Sequence, residues 1–161
     1  MRANCRALPL LVLFLPFAGC ASLDSFAPGT PSREVRTARG APTAVWKNPD
    51  GSERWEYSRG PYGTQTYMVT VGSDHAVREV HQVLSEEFFD KIRAGMSRED
   101  VRRALGAPAE IMLFDARDEE VWSWRYQDIK PMFFNVLFDR SAGTVRSTLR
   151  LEEVLFLDTN C

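Results

Sequence analysis

With two histidines and three cysteines in 161 residues, the chain has little raw material for catalysis or metal binding. No Cys-x-x-Cys or His-x-x-x-His spacing occurs, so neighbouring residues assemble no zinc ligand set. His75 stands in the turn-like "GSDHAV" and His81 in a strand-patterned segment. Consecutive Ser73, Asp74 and His75 cannot take up the nucleophile, base and orienter geometry of a triad. Basic excess is absent as well: 20 Lys and Arg face 22 Asp and Glu, for a formal net charge of −2, so there is no field to hold nucleic acid. These absences point to a non-catalytic protein with no cofactor, metal, nucleic acid or small-molecule substrate.

A long apolar run is missing too. The stretch Ala7–Ala18 behind Arg2 and Arg6 is about a dozen residues, and crossing hydrocarbon takes ~20. Its three regions read as a secretory signal over residues 1–19. "FAGC", Phe17–Cys20, resembles the lipobox of bacterial lipoproteins, with Phe17 in place of the usual Leu. That resemblance implies cleavage before Cys20, acylation of its thiol, and a short linker over 20–28. Two or more acyl chains hold a protein on a membrane essentially permanently. Ala21 and Ser22 replace the Asp that retains many such proteins at the inner membrane, so the resemblance implies the outer membrane, periplasmic side. Cys5 would leave with the signal and Cys161 has no partner in its chain, so the fold stands without a disulfide.

What the chain does have is a phrase written twice. "GTPSREVRTARGAP", Gly29–Pro42, and "GMSREDVRRALGAP", Gly95–Pro108, share Gly29/Gly95, Val35/Val101, Arg36/Arg102, Ala38/Ala104, Gly40/Gly106, Ala41/Ala107 and Pro42/Pro108. In the second copy Ser97 and Asp100 form a capping pair, Val101, Ala104 and Leu105 share a face, and Gly106 and Pro108 stop the helix. The first copy has Arg39 where the second has Leu105, so it predicts a weaker helix, with Pro31 as its first residue behind Thr30. "LSEEFFDKIRAG" predicts a helix ahead of the second copy, capped by Ser85, with Phe88, Phe89 and Ile92 inward and Gly95 as stop.

After each helix the period changes to two. "TAVWKNPDGSERWEYSR" reads as strands about an Asn-Pro-Asp-Gly turn, with Trp55 and Tyr57 opposite Arg54, Glu56 and Ser58. "TQTYMVTVGSDHAVREVHQV" continues with Tyr67, Val69 and Val71 alternating. "IMLFDARDEEVWSWRYQ" sets Trp122, Trp124 and Tyr126 on one face, and "FFNVLFDRSAGTVRSTLRL" does so with Phe134, Val136 and Phe138. The expected fold class is α+β: a tandem repeat of short helices, each followed by an antiparallel meander, over 29–83 (leading helix missing or reduced) and 84–157.

"GMSREDVRRALGAPAE", "VWSWRY" and "FNVLFDRSAGTV" resemble the BamE (SmpA/OmlA) domain of bacterial lipoproteins, with its Gly-Met-Thr-x-x-x-Val, Trp-x-Tyr and Phe-x-x-x-Gly patterns. The resemblance covers residues 84–150 well and 29–82 more loosely. It implies helix, helix and a three-stranded sheet in each unit, and a scaffold or accessory role in outer-membrane protein assembly. The implied partners are the β-barrel assembly machine, another envelope protein, and anionic phospholipid. The tandem arrangement is similar to that of β-lactamase inhibitor proteins, which implies the alternative of an inhibitor or sensor holding one periplasmic enzyme on its sheet.

Phe133 and Leu137 alternate with Phe134, Val136 and Phe138 on a strand apolar on both sides. One side faces the helices; the other is either a partner face or the junction of the two units. Arg33, Arg36, Arg39, Arg98, Arg102 and Arg103 form either solvated helix faces or a patch for an anionic headgroup or acidic partner. The candidate partner face is therefore Phe133, Leu137, Arg98 and Arg102. Asp115, Asp118, Glu119 and Glu120 crowd a predicted hairpin but lack the glycine and spacing of a calcium loop.

Overall fold

The computed structural model describes residues 23–153. A 3₁₀ turn at Leu23–Ser25 leads into α1 (Ser32–Arg39) and strands β1 (Ala44–Lys47), β2 (Glu53–Ser58), β3 (Thr66–Val71) and β4 (Val77–Gln82). Helices α2 (Glu86–Phe89) and α3 (Arg98–Leu105) precede β5 (Glu110–Phe114), β6 (Glu119–Gln127), β7 (Pro131–Asp139) and β8 (Thr144–Glu152). Each set of strands is an antiparallel sheet in sequence order, β1-β2-β3-β4 and β5-β6-β7-β8.

This corrects the expected fold class. The fold is β-rich, with two four-stranded sheets, rather than helical repeats each trailed by a meander, and the helices are only 8, 4 and 8 residues long. The implied three-stranded sheet has a fourth strand in both places. The predicted helix over "LSEEFFDKIRAG" shrinks to one turn, because Ser85 makes no side-chain cap and the chain turns at once after Phe89. Phe89 and Ile92 are still buried, so a compact turn delivers the apolar face assigned to a helix. The tail "EEVLFLD" reads in the sequence as an extension of the last strand; β8 runs to Glu152, and the tail beyond residue 153 falls outside the described residues.

α3 forms as its residues dictate. Ser97 accepts from the Asp100 amide and the Asp100 carboxylate accepts from the Ser97 amide, a reciprocal capping box. α1 starts behind Pro31 with no side-chain cap, and Pro31 stands one position before the helix rather than inside it. Both copies of the phrase dock on their sheets by the same bonds. Gly29 donates to the Val77 carbonyl and Val77 to the Thr30 carbonyl, each at 2.8 Å; Gly95 donates to Val145 and Val145 to Met96, again at 2.8 Å.

Packing puts the helices at two levels. Val35 of α1 lies with Trp55, Tyr57, Tyr67, Val69, Val71 and Val77 in one core against sheet β1–β4. Val101 and Leu105 of α3, with Phe89 and Ile92, fill the larger core against Trp122, Trp124, Tyr126, Phe134, Val136 and Phe138. Phe89 stacks on Phe134 at 4.1 Å between ring centroids. Met68 of β3 belongs to this second core, so α3 is covered on both sides. The order of layers is α1, first sheet, α2 with α3, second sheet.

The two helix stops are matched in backbone and differ in surroundings. Gly40 has φ 79°, ψ −164°, and Gly106 φ 83°, ψ −167°, a region that side chains enter at a cost. A Cβ on Gly40 would meet nothing, whereas one on Gly106 would lie 2.7 Å from Thr66 Cγ2 and 3.1 Å from Glu56 Cδ. Gly40→Ala is expected to cost the strain alone, about 1–3 kcal/mol. Gly106→Ala is expected to cost distinctly more. Equal losses in urea denaturation would mean the first sheet does not press on α3.

Candidate functional site

The arginines proposed for a partner face are taken up inside the molecule. Arg98 reaches Glu120 of β6 with Nε at 2.9 Å and Nη2 at 2.6 Å, and Nη2 also donates to the Arg140 carbonyl at 3.0 Å. One turn on, Arg102 turns the opposite way and pairs with Glu56 of β2. Glu56 is wholly buried, and its other oxygen accepts from the Ala107 amide at 3.2 Å. Arg54 Nε donates to the Arg103 carbonyl at 2.9 Å, Arg103 reaches Asn48 Oδ1 at 2.7 Å, and Arg102 sits 5.4 Å above the Trp46 ring. Thus Arg98 fastens α3 to the second sheet while Arg102 fastens it to the first. For Glu120, burial raises the carboxyl pKa, but the Trp122 indole N–H and Arg98 outweigh it and leave the group below the ordinary Glu value.

Phe133 and Leu137 lie on the side of the second sheet that α2 and α3 do not cover. Register rows on this open face are Met112, Val121, Leu137 and Ser147; Glu110, Ser123, Asn135 and Leu149; and Arg125, Phe133 and Leu151. Phe134, Val136 and Phe138, on the helix side, have no exposure, while Phe133 and Leu137 are half-buried and Leu149 and Leu151 exposed. At the centre Ser123 Oγ donates to Asn135 Oδ1 at 2.6 Å, a buried pair lying between Glu110 and Leu149 in its row. The junction between the two sheets is elsewhere, at α3.

Sequence reasoning missed two residues here. Tyr62, from the β2–β3 loop, is 83% exposed and its ring lies 5.8 Å from the Arg125 guanidinium, which is also 5.2 Å from the Phe133 ring. Arg125 also holds Glu153 at 2.5 Å, and its buried Nε has no partner among the described residues. Pro61, Tyr62, Ala109, Glu110, Arg125 and Phe133 line a depression of about 240 Å³. Nothing local in "GPYGT" signals this, because Arg125 is supplied from the other sheet.

The remaining candidates are consumed by structure. His75 occupies the β3–β4 turn at φ 61°, and His81 contacts Glu79 at 2.8 Å. The acidic run is drawn to arginines: Asp115 to Arg140, Glu119 to Arg146, Glu120 to Arg98. Among the described residues no group of three metal-ligating side chains forms. Arg36 rides 4.3 Å above the Trp55 ring. Cys20, the lipidation candidate, lies outside the described residues.

No family model matches the chain, and no curated protein does, so the BamE resemblance rests on its three motifs alone. Among solved structures, one similar to it is a Streptococcus mutans protein provisionally named a β-lactamase inhibitor protein, at 12% identity and TM-score 0.34, covering 80% of this chain and 86% of that one. Another is an extracellular protein containing an SCP domain from Bacillus anthracis str. Ames, at 12% identity and TM-score 0.35, covering 91% of this chain and 50% of that one. A third is a cysteine-rich secretory protein from Staphylococcus aureus, at 13% identity and TM-score 0.28, covering 77% and 44%. With TM-scores below 0.5, these likenesses carry no argument about what the chain does.

The buried pair makes an asymmetric prediction. Arg102→Met strands the Glu56 carboxylate without water and is expected to cost about 3–5 kcal/mol. Glu56→Met leaves a guanidinium 29% exposed, which water can serve, and is expected to cost less. The double change should be milder than Arg102→Met alone. Chemical denaturation of the four chains checks the order; a costlier Glu56→Met would contradict this account of the clamp.

Proposed function

We propose that the chain is a non-catalytic, lipid-anchored protein of the cell envelope that holds a protein partner on the open face of its second sheet. The observation that carries this reading is the group Tyr62, Arg125 and Phe133, continued by Leu137, Leu149 and Leu151: aromatics and an arginine beside uncovered aliphatic residues. Such a composition concentrates binding energy, since Tyr and Arg dominate interface hot spots. The depression beside Arg125 gives a side chain of the partner somewhere to insert.

The envelope setting follows from "FAGC" and the apolar run ahead of it, and the outer-membrane, periplasmic assignment from Ala21 and Ser22 after the cysteine. Within that setting the BamE resemblance favours a scaffold or accessory role in outer-membrane protein assembly, with the barrel assembly machine or another envelope protein as partner.

Each half of the proposal has its own test. Cys20→Ser is expected to yield uncleaved precursor or a product released from the membrane; maturation at the same position with continued outer-membrane fractionation would remove the anchor. Phe133→Ser with Leu137→Ser is expected to abolish an in-cell crosslinked partner at little cost in melting temperature, because both side chains are already half-exposed. Outright unfolding, or an undiminished crosslink, would remove the open face from the reading.

A further inference from the structure

The sheets present four outer edges, and three are blunted. β1 is four residues long and ends in Lys47. β4 carries Arg78, Glu79 and His81, and its start is covered by Gly29 and Thr30 bonded to Val77. β8 carries Arg146, Arg150 and Glu152, shifts register opposite Leu137 and Phe138, and is covered at Val145 by Gly95 and Met96. β5 carries only Glu110, at its start. It pairs with β6 on one side and, among the described residues, with no strand on the other. Ile111, Met112, Leu113 and Phe114 are 51, 37, 55 and 40% exposed, with no charge, proline or bulge among them. Folded proteins normally protect such an edge, because its free amides and carbonyls are a template for another strand.

We propose that β5 is the edge of a homodimer, pairing antiparallel with β5 of a second copy about a two-fold axis at Met112. A two-fold interface brings one surface against itself, so the strand must be complementary to its own reverse. "EIMLF" is. With Met112 opposite its own copy, Ile111 falls opposite Leu113 twice, on the helix side, and Glu110 opposite Phe114 twice, on the open side. No like charges meet, and the flanking Asp115 falls opposite Ala109. Centring on Leu113 instead would set Ile111 against Asp115, and centring on Ile111 would leave Phe114 outside the pairing. Only the Met112 register pairs all five strand residues with strand residues; it keeps the aliphatic pairs at the centre and leaves Glu110 against Phe114 at each end. Five paired residues bury less than the ~1,200 Å² of standard stable interfaces, so the dimer exchanges readily with monomer.

The test uses the full-length chain in detergent, with Cys161→Ser as background. Mild oxidation of the Met112→Cys chain is expected to give a disulfide-linked dimer several-fold faster than Leu149→Cys, since residues facing each other across an antiparallel pair stand at disulfide spacing. Adding Ile111→Lys with Leu113→Lys sets like charges opposite one another and should abolish the product. Ile111→Lys with Leu113→Glu should restore it, because each lysine then faces a glutamate of the other copy. Circular dichroism confirms folding of each chain, and sedimentation velocity of the parent under reducing conditions reads the dimer without an engineered cysteine. Equal crosslinking at positions 112 and 149, a charge-paired chain that folds yet fails to crosslink, or a parent that sediments only as monomer would overturn the proposal.

Discussion

One carboxylate without access to water holds the molecule together. Glu56 belongs to the first sheet, but its partners, Arg102 and the Ala107 amide, belong to α3 and the turn after it. A buried charge is tolerated only when paired and hydrogen-bonded. The fold therefore cannot separate its halves without exposing or stranding this group. Everything around it conforms: Gly106 has no side chain because Glu56 and Thr66 occupy the space, Trp46 lies beneath Arg102, and Met68 joins the far core.

That constraint also explains why one copy of the repeated phrase matters more than the other. Both copies keep the buried valine, the glycine stop and the two bonds to the sheet. Only α3 has a sheet on each side, so it keeps Leu105 where α1 has Arg39 and directs successive arginines to opposite layers. Arg36, the counterpart of Arg102, lies over the Trp55 ring instead.

Local signals in the sequence carried a good deal. The capping pair Ser97 and Asp100, the apolar stripe of Val101 and Leu105, and the alternation of Trp122, Trp124 and Tyr126 all refer to neighbours within a few positions, and each has its counterpart in the structure. The burial of Glu56 was not legible. A glutamate alternating with Trp55 and Tyr57 has the pattern of a strand with one solvated face, and the helix that covers it comes more than forty residues later. The Tyr62 and Arg125 group was hidden for the same reason. The balance of the fold was misjudged where a short motif with a plausible cap, Ser85, stood in for a helix that packing did not need to complete.

Both sheets run in chain order, each strand bonded to the next. Most pairing therefore closes short loops, and chains of low contact order reach their structure quickly. The bonds from Arg54, Glu56 and Asn48 to α3 are of the other kind, joining residues 46 to 55 apart. Order of formation follows from loop-closure entropy: hairpins first, and the clamp on α3 once both sheets exist to receive it. Until then the apolar face of α3 and the aromatic side of the second sheet stand open together, and that interval is the one in which the chain is most prone to aggregate.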